Sequence, residues 1–272
     1  MRHIDLDDAT LRRLVELDAA RIAFASAYSS AGKCRQFVIQ RFGSAIALRD
    51  ASQRTQGLLN RVVGFGRADL QELAAVLAFY EDNGIACQID VTPNHATPEL
   101  LQALQDNGFR MIGCSSVFRG VPEVSSLGNP EILIERATGG GLAAALDLHR
   151  RFGERPPLSD DERTHRCAFM ESHPEYQLFV ASIDGQPAAV GALLFHEDLC
   201  HLSNAVTDPA KRGRGCQRAL LEHRIGEAAR AGCRMVVTDT MFGNTSHRNA
   251  ERAGFRLAYA TTWWVRPPPA GR

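Results

Sequence analysis

Apolar positions first recur at helical spacing over residues 7–28, where Leu11, Leu14, Val15, Leu17, Ile22 and Phe24 alternate with charged and small residues. Two short β-rich runs follow, 37–41 and 44–48, arranged around Gly43 as a hairpin would be. The stretch 60–65 (NRVVGF) predicts another strand. Residues 70–80 predict a helix that Asn83-Gly84 closes, with Asp69 as its N-cap. A strand at 85–91, a helix at 98–105 and a strand or broken pair over 109–118 complete this half. Gly120, Pro122, Ser125, Ser126, Gly128, Asn129 and Pro130 then fall close together and mark a linker.

Beyond it the pattern predicts a strand at 132–135 and a helix at 141–152 that follows the glycine turn 139–141. Arg155-Pro156-Pro157 breaks that helix, and 160–171 forms the next. Strands 176–183 and 188–195 are joined by Asp184-Gly185, a hairpin dipeptide. Strand 201–206, a glycine loop, helix 217–231, strand 234–240, helix 245–252 and a terminal strand pair, 255–260 and 261–265, end the chain.

The two halves share this order, and residues echo it. Asn107-Gly-Phe-Arg-Met111 matches Ala253-Gly-Phe-Arg-Leu257 at an offset of 146 residues, at which Cys87 also meets Cys233 and 69–80 overlies 215–226. Repetition at a fixed offset indicates two copies of one unit. The division expected is 1–122, a linker at 123–131, and 132–272.

Composition narrows the classes. With 272 residues, 44% hydrophobic and 23% charged, the chain is of ordinary globular make-up and long enough for two cores. A formal net charge of +0 argues against a general polyanion binder, so no nucleic-acid partner is expected and any phosphate recognition must be local. The seven cysteines (34, 87, 114, 167, 200, 216, 233) are dispersed without CxxC spacing, which fits reduced thiols in the cytoplasm. MRHIDLDDATLRRL has no apolar signal-peptide core, and no run reaches membrane-spanning length. The nine histidines show no HExxH or comparable ligand spacing, so no metal is expected.

Chemistry concentrates in residues 204–221, NAVTDPAKRGRGCQRALL. A strand ends at Asp208-Pro209; Lys211-Arg212-Gly213-Arg214-Gly215 then sets two glycines among three cations before a helix. Such a loop turns successive N–H groups toward one point at a helix N-terminus, a natural seat for phosphate or pyrophosphate. The corresponding GFGRAD stretch, 64–69, lacks a third glycine and places an acid at the helix start, so cofactor binding is expected of the second half only.

Strand, V-x-x-P, R-G-x-G loop, helix, strand, helix and R-x-G-F resemble the GNAT-type N-acetyltransferase superfamily. The residues that carry the likeness are Ala205-Val206, Pro209, Arg212-Gly213-Arg214-Gly215-Cys216-Gln217, Ser246, Asn249 and Arg252-Ala253-Gly254-Phe255. Gln217 departs from the final small position of the family loop and is similar to a branch reading RGRGxQ, with SxRN at 246–249. The likeness covers about 132–266; the first half shares element order and the GFR echo. It implies an α/β (α+β) fold of two tandem GNAT-like domains, each a central mixed, mostly antiparallel sheet flanked by helices.

The resemblance further implies acetyl-CoA as co-substrate. Its pyrophosphate would lie on the amides of 212–217 and its pantetheine along Ala205, Val206 and Thr207, where the strand parts from its neighbour. Cofactor contacts are thus expected from Ala205, Val206, Thr207, Arg212, Gly213, Arg214, Gly215, Cys216, Gln217, Asn244, Ser246 and Asn249, with Asn244 and Ser246 open to a capping role instead. The tyrosine that many family members carry in the last helix corresponds to Ala250. Asn249 and Ser246 are therefore the catalytic candidates, and the acid and base stay unassigned among His196, Glu197, Asp198, His201, Asp239, Tyr176 and Tyr259. The expected activity is acetyl transfer from acetyl-CoA to a primary amine of a small molecule or peptide. Its alternatives are a non-catalytic CoA-binding sensor, or an acyltransferase using another acyl-CoA or an O-acceptor. Acids at 147, 154 and 160–162 suit a cationic acceptor or a solvated helix face equally, and a homodimer is compatible with the reading.

Overall fold

The computed structural model describes residues 7–29, 36–54, 57–124 and 129–268. In chain order the elements are α1 (Asp8–Ser29), β1 (Phe37–Phe42), β2 (Ala45–Asp50), β3 (Arg61–Val63), α2 (Leu73–Glu81), β4 (Cys87–Val91), α3 (Pro98–Asp106), β5 (Arg110–Gly120), β6 (Ile132–Arg136), α4 (Gly140–Phe152), α5 (Asp160–Glu171), β7 (Tyr176–Ile183), β8 (Gln186–His196), β9 (Leu199–Thr207), α6 (Cys216–Arg230), β10 (Met235–Met241), α7 (Thr245–Arg252) and β11 (Arg256–Arg266). This is a mixed α/β fold. The linker expected at 123–131 includes 125–128, which lie outside the described residues.

The elements gather into two compact units. One, the amino unit, comprises the described residues up to 117 with 240–242 and 258–268; the other, the carboxyl unit, comprises 118–239 and 243–257. In the amino unit the strand order is β1-β2-β3-β4-β11-β5. β11 runs antiparallel to β4, from Thr262 opposite Val91 to Arg266 opposite Cys87. The terminal pair expected at 255–260 and 261–265 is thus one strand. Ala260-Thr261-Thr262 contains no turn-forming residue, and Thr262 Oγ1 donates to Val91 O at 3.2 Å. Val62, Phe65, Val76, Tyr80, Ile89, Leu100, Leu104 and Trp264 form the core of this unit.

Asp69 is likewise not an N-cap. It is the third residue of a 3-10 turn, Arg67–Glu72, that Gly66 caps. Its carboxylate accepts from Gly66 N at 2.9 Å and from Ser44 N at 2.7 Å. A Cβ on Gly43 would stand 2.3 Å from Asp69 Oδ1, so glycine there leaves the carboxylate its place.

The carboxyl unit has the order β10-β9-β8-β7-β6. Asp184 and Gly185 join β7 to β8 with φ of 53° and 69°, the positive pair a tight I′ hairpin demands. Ser159 and Glu162 form a reciprocal capping box that starts α5, which explains why its limits are legible from sequence. Leu193, Cys200, Leu202, Leu220, Leu221, Ile225 and Val236 belong to the core of this unit. Each half of the chain ends in strand, helix, strand, helix, strand, and β5 and β11 lie 146 residues apart at both ends.

Candidate active site

Two irregularities in the carboxyl sheet open a site. β9 pairs in parallel with β10 only from Leu199/Met235 to Leu202/Thr238. Thr238 Oγ1 donates to Leu202 O at 3.0 Å and closes the fork; 203–207 continue without a β10 partner. On the other side the β8–β9 register shifts, Val190 facing Val206 while Ala192 faces Ser203. The extra residue is absorbed at Asn204, whose φ of 50° is left-handed.

Arg224 supports this bulge from beneath. Its Nη1 donates to Ala192 O at 2.8 Å and Ser203 O at 3.2 Å, and its Nε donates to Leu220 O at 3.2 Å. The side chain is 1% exposed, and burial pushes its pKa down to about 10. Gly191 makes room for it, since a Cβ there would lie 2.9 Å from Arg224 Cζ. Above the bulge, Asn204 Nδ2 donates to Tyr176 Oη at 2.9 Å. His149 on α4 is pushed down to about 4 by burial and by Arg155 and Arg150, against a hydrogen bond with the Asn204 backbone that acts the other way.

The glycine loop follows. Asp208 accepts from Ala210 N at 3.0 Å, and Lys211 Nζ donates to Pro187 O at 2.8 Å. Gly213 and Gly215 hold φ of 80° and 83°. Among the described residues, no side chain caps α6. Its first intrahelical bond is Ala219 N to Gly215 O at 3.0 Å, which leaves the amides of Cys216, Gln217 and Arg218 outside the helical ladder. Glycine is required at 215 for its conformation, because the nearest atom to an added Cβ is Ile132 Cδ1 at 3.9 Å. Arg212 is exposed and has no hydrogen-bond or ion-pair partner among the described residues.

Strand end, loop and the facing side of α7 enclose a cleft of about 670 Å³. Ala205, Val206, Thr207, Arg212, Gly213, Gly215, Cys216, Gln217, Ser246 and Asn249 all line it. Arg214 instead pairs with Asp184 at 2.9 Å, and Asn244 is the N-cap of α7, accepting from His247 N at 2.8 Å. The bulky Gln217 is turned by Thr207, whose Oγ1 donates to Gln217 Oε1 at 3.1 Å, so the Gln217 amide hydrogens are free to donate elsewhere. Lys211, Arg218, Leu221, Thr245, Arg252 and Ala253 complete the lining. Three of these had a signal, since 245, 252 and 253 share a helical face with Ser246 and Asn249. Ala250 is buried.

Of the acid and base candidates, His201 and Asp239 come together, Nε2 to Oδ1 at 2.8 Å. His196, Glu197 and Asp198 fall at the β8–β9 turn, at the other end of β9 from the fork. Tyr259 lies on β11 in the amino unit. Among the described residues, no group of three or more His, Cys, Asp or Glu side chains is placed to hold a metal ion, and no helix is long and apolar enough to cross a membrane. The six described cysteines are free thiols; Cys34 lies outside the described residues.

Residues 142–255 match the family described as the acetyltransferase (GNAT) family. Solved structures agree on the fold. A GCN5-related N-acetyltransferase from Kribbella flavida superposes with a TM-score of 0.63 at 14% identity, covering 92% of this chain and 96% of its own. One from Sphaerobacter thermophilus gives 0.58 at 16% identity, over 83% of this chain and 81% of its own. A tandem GNAT protein from the clavulanic acid biosynthesis pathway gives 0.56 at 12% identity, over 94% of this chain and 96% of its own. No curated protein matches in sequence.

Proposed function

We propose that the protein is an acetyl-CoA-dependent N-acetyltransferase built from two GNAT-like halves, of which the carboxyl unit holds the co-substrate. The observation that carries this reading is the fork. A cleft bounded by the stretch 203–207, which has no partner on its β10 side, the glycine loop and α7 offers a strand edge at one end and helix N-terminal amides at the other. A pyrophosphate would accept from the amides of Cys216, Gln217 and Arg218, with Arg212 free to add its charge. Charge-assisted bonds of this kind contribute about 1.5–3 kcal/mol each. Pantetheine amides would pair with the strand edge at Ala205, Val206 and Thr207, and a backbone N–H there would polarise the thioester carbonyl. Asn249 Oδ1 accepts from Arg252 Nη1 at 3.3 Å, which leaves the Asn249 amide hydrogens, with Ser246, facing the cleft as donors to the pantetheine or thiol. The acceptor is the primary amine of a small molecule or peptide.

The amino half lacks the corresponding seat on physical grounds. Asp69 already supplies an anion to the loop amide of Gly66 and to Ser44, and would repel a second one. Acetyl-CoA should therefore bind once per chain. Thiol release from acetyl-CoA, measured across amines, amino acids and peptides, tests the activity. Tight binding of CoA without amine-dependent release would reduce the protein to a binding module. Gly215→Val should abolish CoA-dependent thermal stabilisation, and undiminished stabilisation would remove the loop from the site.

A further inference from the structure

The fork carries a second chemical feature outside the cleft lining. Cys200 and Leu202 pack in the core with Leu220, Leu221 and Ile225 of α6, so strand alternation turns His201 to the opposite face of the sheet. His201 stands across from Leu194, and Leu194 from Tyr176, which places the three on one face. α4 packs over β7, β8 and β9 on this side and brings His149 to the Asn204 backbone. Asp239 comes one residue after Thr238, the last residue of β10 paired with β9. The His201–Asp239 pair therefore sits where the two strands part.

The geometry of the pair is that of an oriented base. A carboxylate only accepts, so the 2.8 Å contact puts the ring proton on Nε2 and leaves the lone pair on Nδ1. His201 is 4% exposed, and its Nδ1 is buried without a hydrogen-bond partner among the described residues. Native folds seldom leave such an atom without a use. Other bases near the fork are poorly placed. His149 is held neutral by burial and two arginines. Seven residues of strand, roughly 20 Å, separate Asp198 from Ala205.

We propose that His201, oriented by Asp239, accepts the proton that the attacking amine must lose. The proposal rests on the acetyl-transfer reading above. A co-substrate whose pyrophosphate lies at the loop and whose tail runs back along 207–205 presents its thioester toward the fork. The amine lone pair forms the C–N bond at the carbonyl carbon and the C–S bond breaks. Because Nδ1 is itself buried, the surplus proton on nitrogen passes to it through water rather than by direct contact, and the departing thiolate takes up a proton from His201 or solvent. Nothing is oxidised or reduced.

The full chain and its His201→Gln and Asp239→Asn variants test this with two probes, n-propylamine, which is protonated near neutral pH, and 2,2,2-trifluoroethylamine, which is neutral there. Calorimetry with acetyl-CoA should give equal affinity for all three proteins. Removal of a general base should lower kcat/KM for n-propylamine by about 10²–10⁴-fold while 2,2,2-trifluoroethylamine loses far less. A merely structural role would depress both probes alike, and that result overturns the proposal. So does a wild-type chain that binds acetyl-CoA yet acetylates neither probe. A wild-type chain that fails to bind acetyl-CoA overturns the underlying cofactor reading instead. Should His201→Gln not fold, Asp239→Asn, at a half-exposed position, must show the selective loss by itself for the pair to stand.

Discussion

Arg224 shows how one residue sets the shape of the site. Among the described residues no acid pairs with it, so its burial is compensated by carbonyl groups alone. Those of Ala192 and Ser203 flank the register shift. The guanidinium is pinned by these contacts, so it cannot swing aside for a methyl group at position 191. Gly191→Ala should therefore cost about 1–3 kcal/mol by urea denaturation. The double variant with Arg224→Met should cost less than the sum of the two single changes. Strict additivity would show that the glycine and the arginine do not share this space. His149 makes a second residue-scale case. Its folded pKa of about 4 lies below the ordinary 6.5, so the unfolded chain binds the proton first as pH falls. Stability is full above the unfolded value and is lost as pH drops from about 6.5 toward about 4. His149→Gln should flatten the melting temperature across that window, and an unchanged slope would place the acid sensitivity elsewhere.

At the scale of elements, the entry to α6 separates conformation from space. Gly215 needs a left-handed backbone but has open surroundings, so the choice of replacement decides the outcome. Asn tolerates that region, whereas Val adds about 1–2 kcal/mol of strain. Gly215→Asn should accordingly melt within a few degrees of the parent while Gly215→Val melts clearly lower, and equal losses would point to steric crowding instead. This loop was legible because glycines, cations and a proline carry local signals. So were α5, β7 and α7, whose caps and turns lie beside them in the chain. Features made by distant partners were not. Nothing near Asp69 in sequence reveals that Ser44 donates to it, and nothing near Arg224 in sequence places Gly191 and Ala192 against it. The bulge at Asn204 and the pairing of His201 with Asp239 are also register effects, fixed by which strand lies alongside and at what offset.

For the whole molecule, the same reasoning bears on how the chain can be divided. The periodicity of 256–266 identifies β structure but not its partner, and the partner is β4, some 170 positions earlier, through Thr262 and Val91. Trp264 fills the core of the amino unit beside Ile89, Leu100 and Leu104. A fragment ending at residue 124 would therefore lack a strand flanked on both sides, β4 on one edge and β5 on the other. It would expose the apolar faces that Trp264 covers, and burial of a large aromatic side chain contributes about 1.5–3 kcal/mol. Fragment 1–124 should consequently show no cooperative thermal transition alone and should gain one on addition of a peptide spanning 256–268. The two tryptophans of the chain, Trp263 and Trp264, both lie in that peptide, so the fragment is itself free of tryptophan. Emission then reports only on the added strand, and it should shift to the blue as Trp264 enters the core. A fragment that melts cooperatively without the peptide, and leaves its emission unchanged, would show that the amino unit does not depend on β11.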